Sequence, residues 1–304
     1  MTEVLFDAVL PIFAVCAFGF LAGRVGLFDK AMALVINRFV FYLPLPALTF
    51  NLLASARFDA FSWPLLIGYF LSEGAVYLCA LLAARYLFKC GWLEAILLGL
   101  AAAYSNHVLF VLPIAVALFG DAVSLPIVAI ITVDSLVMFG LTLVAMDALT
   151  LDKPSLGGIL LKLGKNPTIV GLVAGLVFGL AQVPLPTGVG VFLDFVSATA
   201  APCALFALGI VLAERRAPVP LALPLTISII KVVIHPLIAT AIILFGYQIT
   251  PELARPALMV AAGPCGAMAF VMAMNYGVRV DAIARAILIT MVASVLTVSL
   301  MAGY

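Results

Sequence analysis

Polar residues and one Gly-Pro pair lie inside long apolar stretches of this sequence, where burial is costly and such groups usually mark ion or substrate paths. The residues concerned are Glu73, Ser105, Asn106, His107, Asp134, Lys231, His235, Gly263 and Pro264. Carboxylates and imidazoles at such positions can bind and release protons or cations, and unwound backbone offers N–H donors to an anion. The chemistry indicated is therefore the binding and movement of a charged solute.

Two of the apolar stretches carry helix-breaking features at their centres. The first reads AAAYSNHVLFVLPIAVALFG, with Ser-Asn-His at 105–107 and Pro113 seven residues after Asn106. The second reads MVAAGPCGAMAFVMAMNYG, with Gly-Pro at 263–264. Proline cannot donate a backbone hydrogen bond, and glycine tolerates unusual dihedral angles. Because unpaired backbone is costly in hydrocarbon, unwound segments at this depth must line a polar cavity or lie buried in protein.

We expect these two broken helices to cross, so that the N-termini of two half-helices face one point. Their free N–H groups and partial positive charge would form an anion site without a cationic side chain. The alternative is a pair of ordinary proline kinks. The candidate substrate-binding residues are Ser105, Asn106, His107, Asp134, Gly263 and Pro264. The candidate crossover residues are Asn106, Pro113, Gly263 and Pro264.

The other ionisable residues have more than one interpretation. Glu73, Asp134, Lys231 and His235 are candidates for coupling transport to an ion. Glu73 and Lys231 could instead form a structural ion pair, or Lys231 could extend to an interface. Asp134 has no obvious partner in the sequence, which favours a functional role. His107 could carry a proton, or it could only hydrogen-bond within the bundle.

The composition is that of an integral membrane protein. Of 304 residues, 66% are hydrophobic and 10% are charged, and the mean hydropathy is +1.32, whereas soluble domains have roughly 25% charged residues. The net charge of +1, without a long basic run, excludes an electrostatic surface for nucleic acid. The cysteines show no CxxC pair or metal-ligand spacing. A cleaved signal peptide is not expected, because Glu3 and Asp7 stand where a basic n-region would be.

Ten stretches are long enough to cross a bilayer, and we number them spans 1 to 10. They lie at 5–23, 36–56, 61–84, 95–118, 124–146, 166–182, 191–213, 219–246, 254–276 and 284–303. Twelve Lys and Arg residues lie in or beside the connections that follow odd-numbered spans, and two lie on the opposite face. By the positive-inside rule the crowded face is cytoplasmic and both termini are periplasmic, in a multi-pass protein of the bacterial inner membrane.

The two halves of the chain repeat one pattern. The spacing of Pro11, Gly19 and Gly23 recurs 156 residues later in span 6, and LPALTF at 45–50 recurs at the same offset as APCALF. Because each copy has five helices, an odd number, the second must enter the membrane from the opposite side. The predicted fold is all-α, with ten transmembrane helices as two inverted five-helix repeats and with helices 4 and 9 broken and crossing at the midplane. Its units are 1–148, a short cytoplasmic connection at 149–165, and 166–304.

The sequence resembles the auxin efflux carrier family, which includes the plant PIN-formed carriers and bacterial carriers labelled malonate transporters, and which is similar at the superfamily level to the bile-acid/sodium symporters. The segments that carry the resemblance are KNPTIVGLVAGLV, ATAAPCALFALGIVLA, YSNHVLFVLPIAVALFG and AGPCGAMAFVMAMNYGVRVDAIA, which together span essentially the whole chain. The resemblance implies a scaffold of spans 1, 2, 6 and 7, a transport domain of spans 3–5 and 8–10, an elevator-like motion, and a homodimer in many members.

Position by position, Asn106 matches the family asparagine beside the first crossover, and Pro264 matches the crossover proline of span 9. Ser105 stands where the plant carriers have proline, which weakens the prediction of a break in span 4. Asp134 stands where they have a pocket-lining glutamine, so the resemblance does not imply a plant-like hormone pocket.

The leading hypothesis from the sequence is a secondary carrier of a small organic anion, such as malonate or an auxin-like aromatic acid. It would have no cofactor beyond H⁺ or Na⁺ as a coupling ion, and its partners would be the anion, the lipid bilayer and a second copy of the chain. The alternative is a sodium-coupled symporter of the bile-acid type, with Glu73 and Asp134 as Na⁺ ligands. An intramembrane enzyme or a sensor is a third hypothesis, although no nucleophile–base motif, phosphate loop or HExxH is present.

Overall fold

The computed structural model describes residues 14–56, 58, 61–120, 123–150, 156–214 and 220–303. The regular secondary structure of this part of the chain is helical, with no β-strand and only one isolated antiparallel bridge, between Ser105 and Cys265. Pro11, which belongs to the predicted repeat, lies outside the described residues. The all-helical fold class is therefore confirmed.

Among the described residues, six helices are long and apolar enough to cross a membrane, and they correspond to predicted spans 2, 3, 5, 7, 8 and 10. Their bounds are Lys30–Ala54, Trp63–Leu87, Leu125–Leu149, Thr187–Ala213, Ala222–Gly246 and Asp281–Gly303. Span 1 is described from its middle onward, as Ala14–Arg24, and span 6 is the shorter helix Pro167–Ala181. Several apolar helices of this length are typical of a multi-pass membrane protein.

Spans 4 and 9 are each divided into two helices. Span 4 consists of half-helix 4a, Trp92–Ala103, and half-helix 4b, which begins with the π-helical turn His107–Val111 and continues as Leu112–Phe119. Span 9 consists of half-helix 9a, Pro251–Ala262, and half-helix 9b, Met268–Asn275. Neither half alone has the length of a bilayer crossing, because the polar residues at the centre end the first helix and begin the second.

Two local signals set helix bounds that composition alone places differently. Span 2 begins at Lys30, six residues before the predicted start, because the Asp29 side chain accepts a hydrogen bond from the Met32 N–H and caps the helix. An additional helix, Leu156–Lys165, occupies the connection between spans 5 and 6. Span 6 then begins at Pro167, where the Asn166 side chain caps the N–H groups of Thr168 and Ile169.

Glycines allow two pairs of helices to meet backbone against backbone. A Cβ on Gly175 of span 6 would lie 2.5 Å from the Phe50 carbonyl oxygen of span 2. A Cβ on Gly19 of span 1 would collide with the Phe206 carbonyl of span 7. Gly175 follows Gly19 by 156 residues, and Phe206 follows Phe50 by the same number. Span 6 therefore packs on span 2 as span 1 packs on span 7, with small residues at each contact.

Two groups of helices are distinguished by their packing. Spans 2, 6 and 7 pack chiefly on one another, whereas span 3 packs on half-helix 4a and span 8 packs on half-helix 9a and span 10. The groups meet where half-helix 9b lies against the first half of span 2. There the Asn37 side chain donates to the Val271 carbonyl at 2.9 Å. The interruptions of spans 4 and 9 lie close to this boundary.

Candidate functional site

The interruption of span 9 follows from its Gly-Pro pair. Proline disfavours the helical conformation for the residue before it, and Gly263 is extended, with φ −66° and ψ 166°. Half-helix 9a therefore ends at Ala262, whose carbonyl accepts a hydrogen bond of 2.7 Å from the Thr297 hydroxyl of span 10. The backbone freed at the break is thus satisfied inside the protein, as a membrane environment requires.

Side-chain hydrogen bonds, rather than a proline, hold the interruption of span 4. Tyr104 leaves the helix with φ −69° and ψ 113°. The Ser105 hydroxyl donates to the Val260 carbonyl of half-helix 9a at 2.6 Å. The Lys231 ammonium of span 8 donates to Ser105 Oγ at 2.5 Å and to the Ala103 carbonyl at 3.0 Å. It therefore caps half-helix 4a at the end where the helix dipole favours a cation.

The two interruptions bind each other directly. The Asn106 N–H donates to the Pro264 carbonyl at 2.9 Å, and the Gly266 N–H donates to the Tyr104 carbonyl at 2.8 Å. Gly266 must be small, since a Cβ there would lie 3.0 Å from the Ser105 carbonyl oxygen. These paired segments are helix breaks in contact with each other, and not the bends within continuous helices that ordinary proline kinks would give.

Pro113, which the sequence suggested for the crossover, lies away from it. Half-helix 4b continues through residue 113, seven residues beyond Asn106. The preceding turn, His107–Val111, is π-helical. In a π-helical turn each N–H bonds to the carbonyl five residues earlier instead of four. This change in pairing accommodates Pro113, which has no N–H to donate.

A cavity of about 240 Å³ lies where the interruptions meet spans 2 and 7. Both half-helices 4b and 9b begin at its wall. Its lining residues are Leu48, Leu52, Tyr104, Ser105, Asn106, His107, Val108, Ser197, Ala198, Ala200, Ala201, Gly266, Ala267 and Met268. The first N–H groups of a helix have no partner within the helix, so two sets of donors and two positive dipole ends face one cavity.

Asn106 is the polar side chain of this wall that is available to a ligand. It is 9% exposed, and its amide forms no side-chain hydrogen bond among the described residues. A buried amide normally finds a partner within the protein. An amide left unpaired between two helix N-termini is therefore suited to donate to an anion in the cavity.

Behind the cavity wall, a buried cluster of ionisable side chains joins spans 3, 4, 5 and 8. His107 lines the cavity, and its Nε2 lies 2.8 Å from Asp134 Oδ2. The Lys231 ammonium, besides its bonds to half-helix 4a, lies 3.0 Å from His235 Nδ1. Glu73 is fully buried and interacts electrostatically with Asp134 and Lys231. Asp134 thus has a partner, His107, that the sequence did not reveal.

The structural ion pair considered for Glu73 and Lys231 is not formed among the described residues. Both Glu73 oxygens lack a hydrogen-bond partner. Lys231 does not extend to an interface either, because it is fully buried. Its ammonium is directed instead to the carbonyl end of half-helix 4a, to Ser105 and to His235. Asp134 Oδ1, the Tyr69 hydroxyl and His235 Nε2 also lack a partner in the described part of the chain.

Two tyrosines of the site were not identified from the sequence. The Tyr104 ring lies 4.8 Å from the His107 ring between centroids, and its hydroxyl lies 3.3 Å from Ser135 Oγ. Tyr69 lies beside His235, with 5.7 Å between ring centroids. Tyr69 precedes Glu73 by four residues, so the i, i+4 spacing placed both on one helix face and was the available signal.

An ion pair outside the spans fixes the far end of half-helix 4a. Glu94 lies in the first turn of this helix, where a carboxylate complements the dipole. Arg279, in the turn after half-helix 9b, donates to both Glu94 oxygens at 3.0 and 2.9 Å. These hydrogen bonds, with the charge of Glu94, raise the pKa of the Arg279 guanidinium. The arginine therefore stays cationic and ties the two broken spans together a second time.

Comparison with known proteins identifies relatives that match most of the chain. A family model described as "Membrane transport protein" matches residues 4–150 and 154–302. A protein of Rhizobium meliloti (strain 1021) with the name "Putative malonate transporter" is 30% identical over 302 residues, which cover 96% of this chain and 92% of that protein. The chain belongs to the membrane transport protein family, that of the auxin efflux carriers, and it is a transporter and not an enzyme.

Proposed function

We propose that the protein is a secondary carrier of a small organic anion, a carboxylate such as malonate, and that the anion binds in the cavity at the crossing. The observation that carries this proposal is the convergence of two half-helix N-termini and the unpaired Asn106 amide on one cavity. No lysine or arginine lines the cavity among the described residues, so the backbone donors and the helix dipoles supply the attraction. The name of the Rhizobium meliloti relative makes malonate the first probe.

The proposed transmembrane arrangement is ten helices in two inverted repeats, residues 1–148 and 166–304, joined through 149–165. Two equivalent contacts support it. Gly175 packs on Phe50 and Gly19 packs on Phe206, and a shift of 156 residues turns the glycine of one contact into the glycine of the other and the phenylalanine into the phenylalanine. A pseudo-two-fold axis in the membrane plane produces such a pair of contacts. The distribution of Lys and Arg supports a bacterial inner membrane location with both termini periplasmic.

The proposed motion is an elevator-like displacement of spans 3–5 and 8–10 against a scaffold of spans 1, 2, 6 and 7, in a homodimer. The cavity supports this division, because one wall comes from the two interruptions and the other from Leu48 and Leu52 of span 2 and residues 197–201 of span 7. An anion held by the interruptions would travel with the moving group. The second wall is apolar apart from Ser197, whose hydroxyl is bonded to the Asp194 carbonyl, so it would slide past the anion with few polar contacts to break.

Counterflow in proteoliposomes tests the proposal. Vesicles loaded with unlabelled malonate are diluted into labelled malonate, and transient accumulation of label shows carrier-mediated exchange. A panel of mono- and dicarboxylates as competitors then ranks the substrates, and runs with and without Na⁺ address the sodium-symporter alternative. The absence of saturable exchange for every carboxylate in the panel, in vesicles that contain folded protein, would refute the proposal.

A further inference from the structure

The cluster behind the cavity contains two buried carboxyl groups with oxygens that no donor among the described residues reaches. Glu73 and Asp134 are both fully buried, and each carboxyl lies within electrostatic range of the other. Neither Glu73 oxygen nor Asp134 Oδ1 has a partner among the described residues. Two ionised carboxylates buried close together repel each other and leave their oxygens without donors, and one proton between them relieves both costs.

The charges of the surrounding side chains are also balanced when the two carboxyls hold one proton. The titratable groups around the two carboxyls are Tyr69 on the helix of Glu73 itself, and Tyr104, His107 and Lys231 on neighbouring elements, and His235 and Cys265 lie beside Lys231. With both carboxylates ionised and Lys231 protonated, the cluster has a net charge of about −1, since the tyrosines and histidines are neutral in their ordinary buried forms. One shared proton makes it neutral.

His107 connects this cluster to the anion cavity. Its ring lines the cavity on one side and contacts Asp134 Oδ2 on the other. A net negative cluster beside the cavity repels an anion, and a neutral cluster does not. Because coupling between two sites is reciprocal, anion binding must equally favour protonation of the cluster.

Resting on the proposed function, we infer that the carrier is an H⁺–anion symporter in which Glu73 and Asp134 share the transported proton and His107 relays it to the cavity. The proton enters from water through the cavity and the His107 imidazole, and bonds to a carboxylate oxygen. It leaves by the same route after the anion has dissociated on the other side. Lys231 stays bound to half-helix 4a throughout.

The test uses wild-type protein in vesicles loaded with a pH-sensitive dye, with equal K⁺ on both sides and valinomycin to hold the potential at zero. External malonate should acidify the lumen, and an acid-outside gradient should drive labelled malonate above its external concentration. Malonate counterflow in vesicles whose lumen does not acidify during net malonate uptake would overturn the inference while leaving the proposed function intact. Accumulation driven by Na⁺ but not by the pH gradient would overturn it too. Absence of counterflow would remove the proposed function itself.

Charge-neutralising variants sharpen the test. Glu73→Gln leaves Asp134 to balance Lys231, so the cluster is neutral without a proton. We expect malonate counterflow to remain measurable, its pH dependence to flatten, and accumulation driven by the pH gradient to be lost. Asp134→Asn should behave alike and is the second variant if the first folds poorly. The matched control is Glu252→Gln, an exposed carboxylate in the first turn of half-helix 9a. Undiminished accumulation in both cluster variants would refute the shared proton.

Discussion

Replacing Asn106 by alanine should weaken anion binding without unfolding the protein. Its amide is nine-tenths buried, lies at the start of half-helix 4b, and makes no side-chain hydrogen bond among the described residues. Removing it therefore deprives no protein group of a partner. The substitution should therefore lower the affinity for the anion and leave the stability of the anion-free protein unchanged.

The expected magnitude follows from the charge of the ligand. A hydrogen bond to a charged group contributes about 1.5–3 kcal/mol. We therefore expect Asn106→Ala to raise the Kd for malonate about 10- to 150-fold. The free energy of unfolding should change by less than about 1 kcal/mol, since no buried partner is left unsatisfied.

The measurements are the malonate Kd in detergent by calorimetry, the half-saturation concentration for counterflow, and the melting temperature. Asn275→Ala serves as the control, because Asn275 ends half-helix 9b and does not line the cavity. An Asn106→Ala Kd within about twofold of wild type, with transport retained, would show that the amide does not contact the anion.

Three further substitutions test the structure around the site. Pro264→Ala should let half-helix 9a continue through Gly263 and abolish counterflow in a folded protein; a near-normal rate would show that hydrogen bonds alone maintain the break. Gly175→Ala should lower the melting temperature by about 2–12 °C, because its Cβ would meet the Phe50 backbone, whereas Gly164→Ala, where nothing lies within 4 Å, should not. Tyr276→Phe removes a 2.8 Å donor from the buried Asp147 carboxylate. It should cost about 1.5–3 kcal/mol, read from the melting temperature, and an unchanged value would mean that another donor replaces the hydroxyl.

The positions of the spans could be predicted because a bilayer demands long apolar segments, whichever neighbours they have. The predicted span bounds were least accurate where a single capping side chain sets the start of a helix, as Asp29 does for span 2. The prediction also omitted the helix Leu156–Lys165. The interruption of span 9 could be predicted from the local sequence, because Pro264 restricts the backbone of the residue before it. The interruption of span 4 was less predictable, because Ser105 ends a helix only with the help of Lys231, 126 residues away.

The sequence by itself determined that the protein lies in a membrane, where its polar residues sit along the helices, and that its halves share one pattern. These properties depend on composition and spacing, which the chain carries without folding. Tertiary structure decided which polar groups meet: Lys231 at the end of half-helix 4a and not at Glu73, Asp134 at His107, and the Asn106 amide with no side-chain partner in the described chain. Hydrogen bonds act over about 3 Å, and only the packing of distant spans brings such groups within that range.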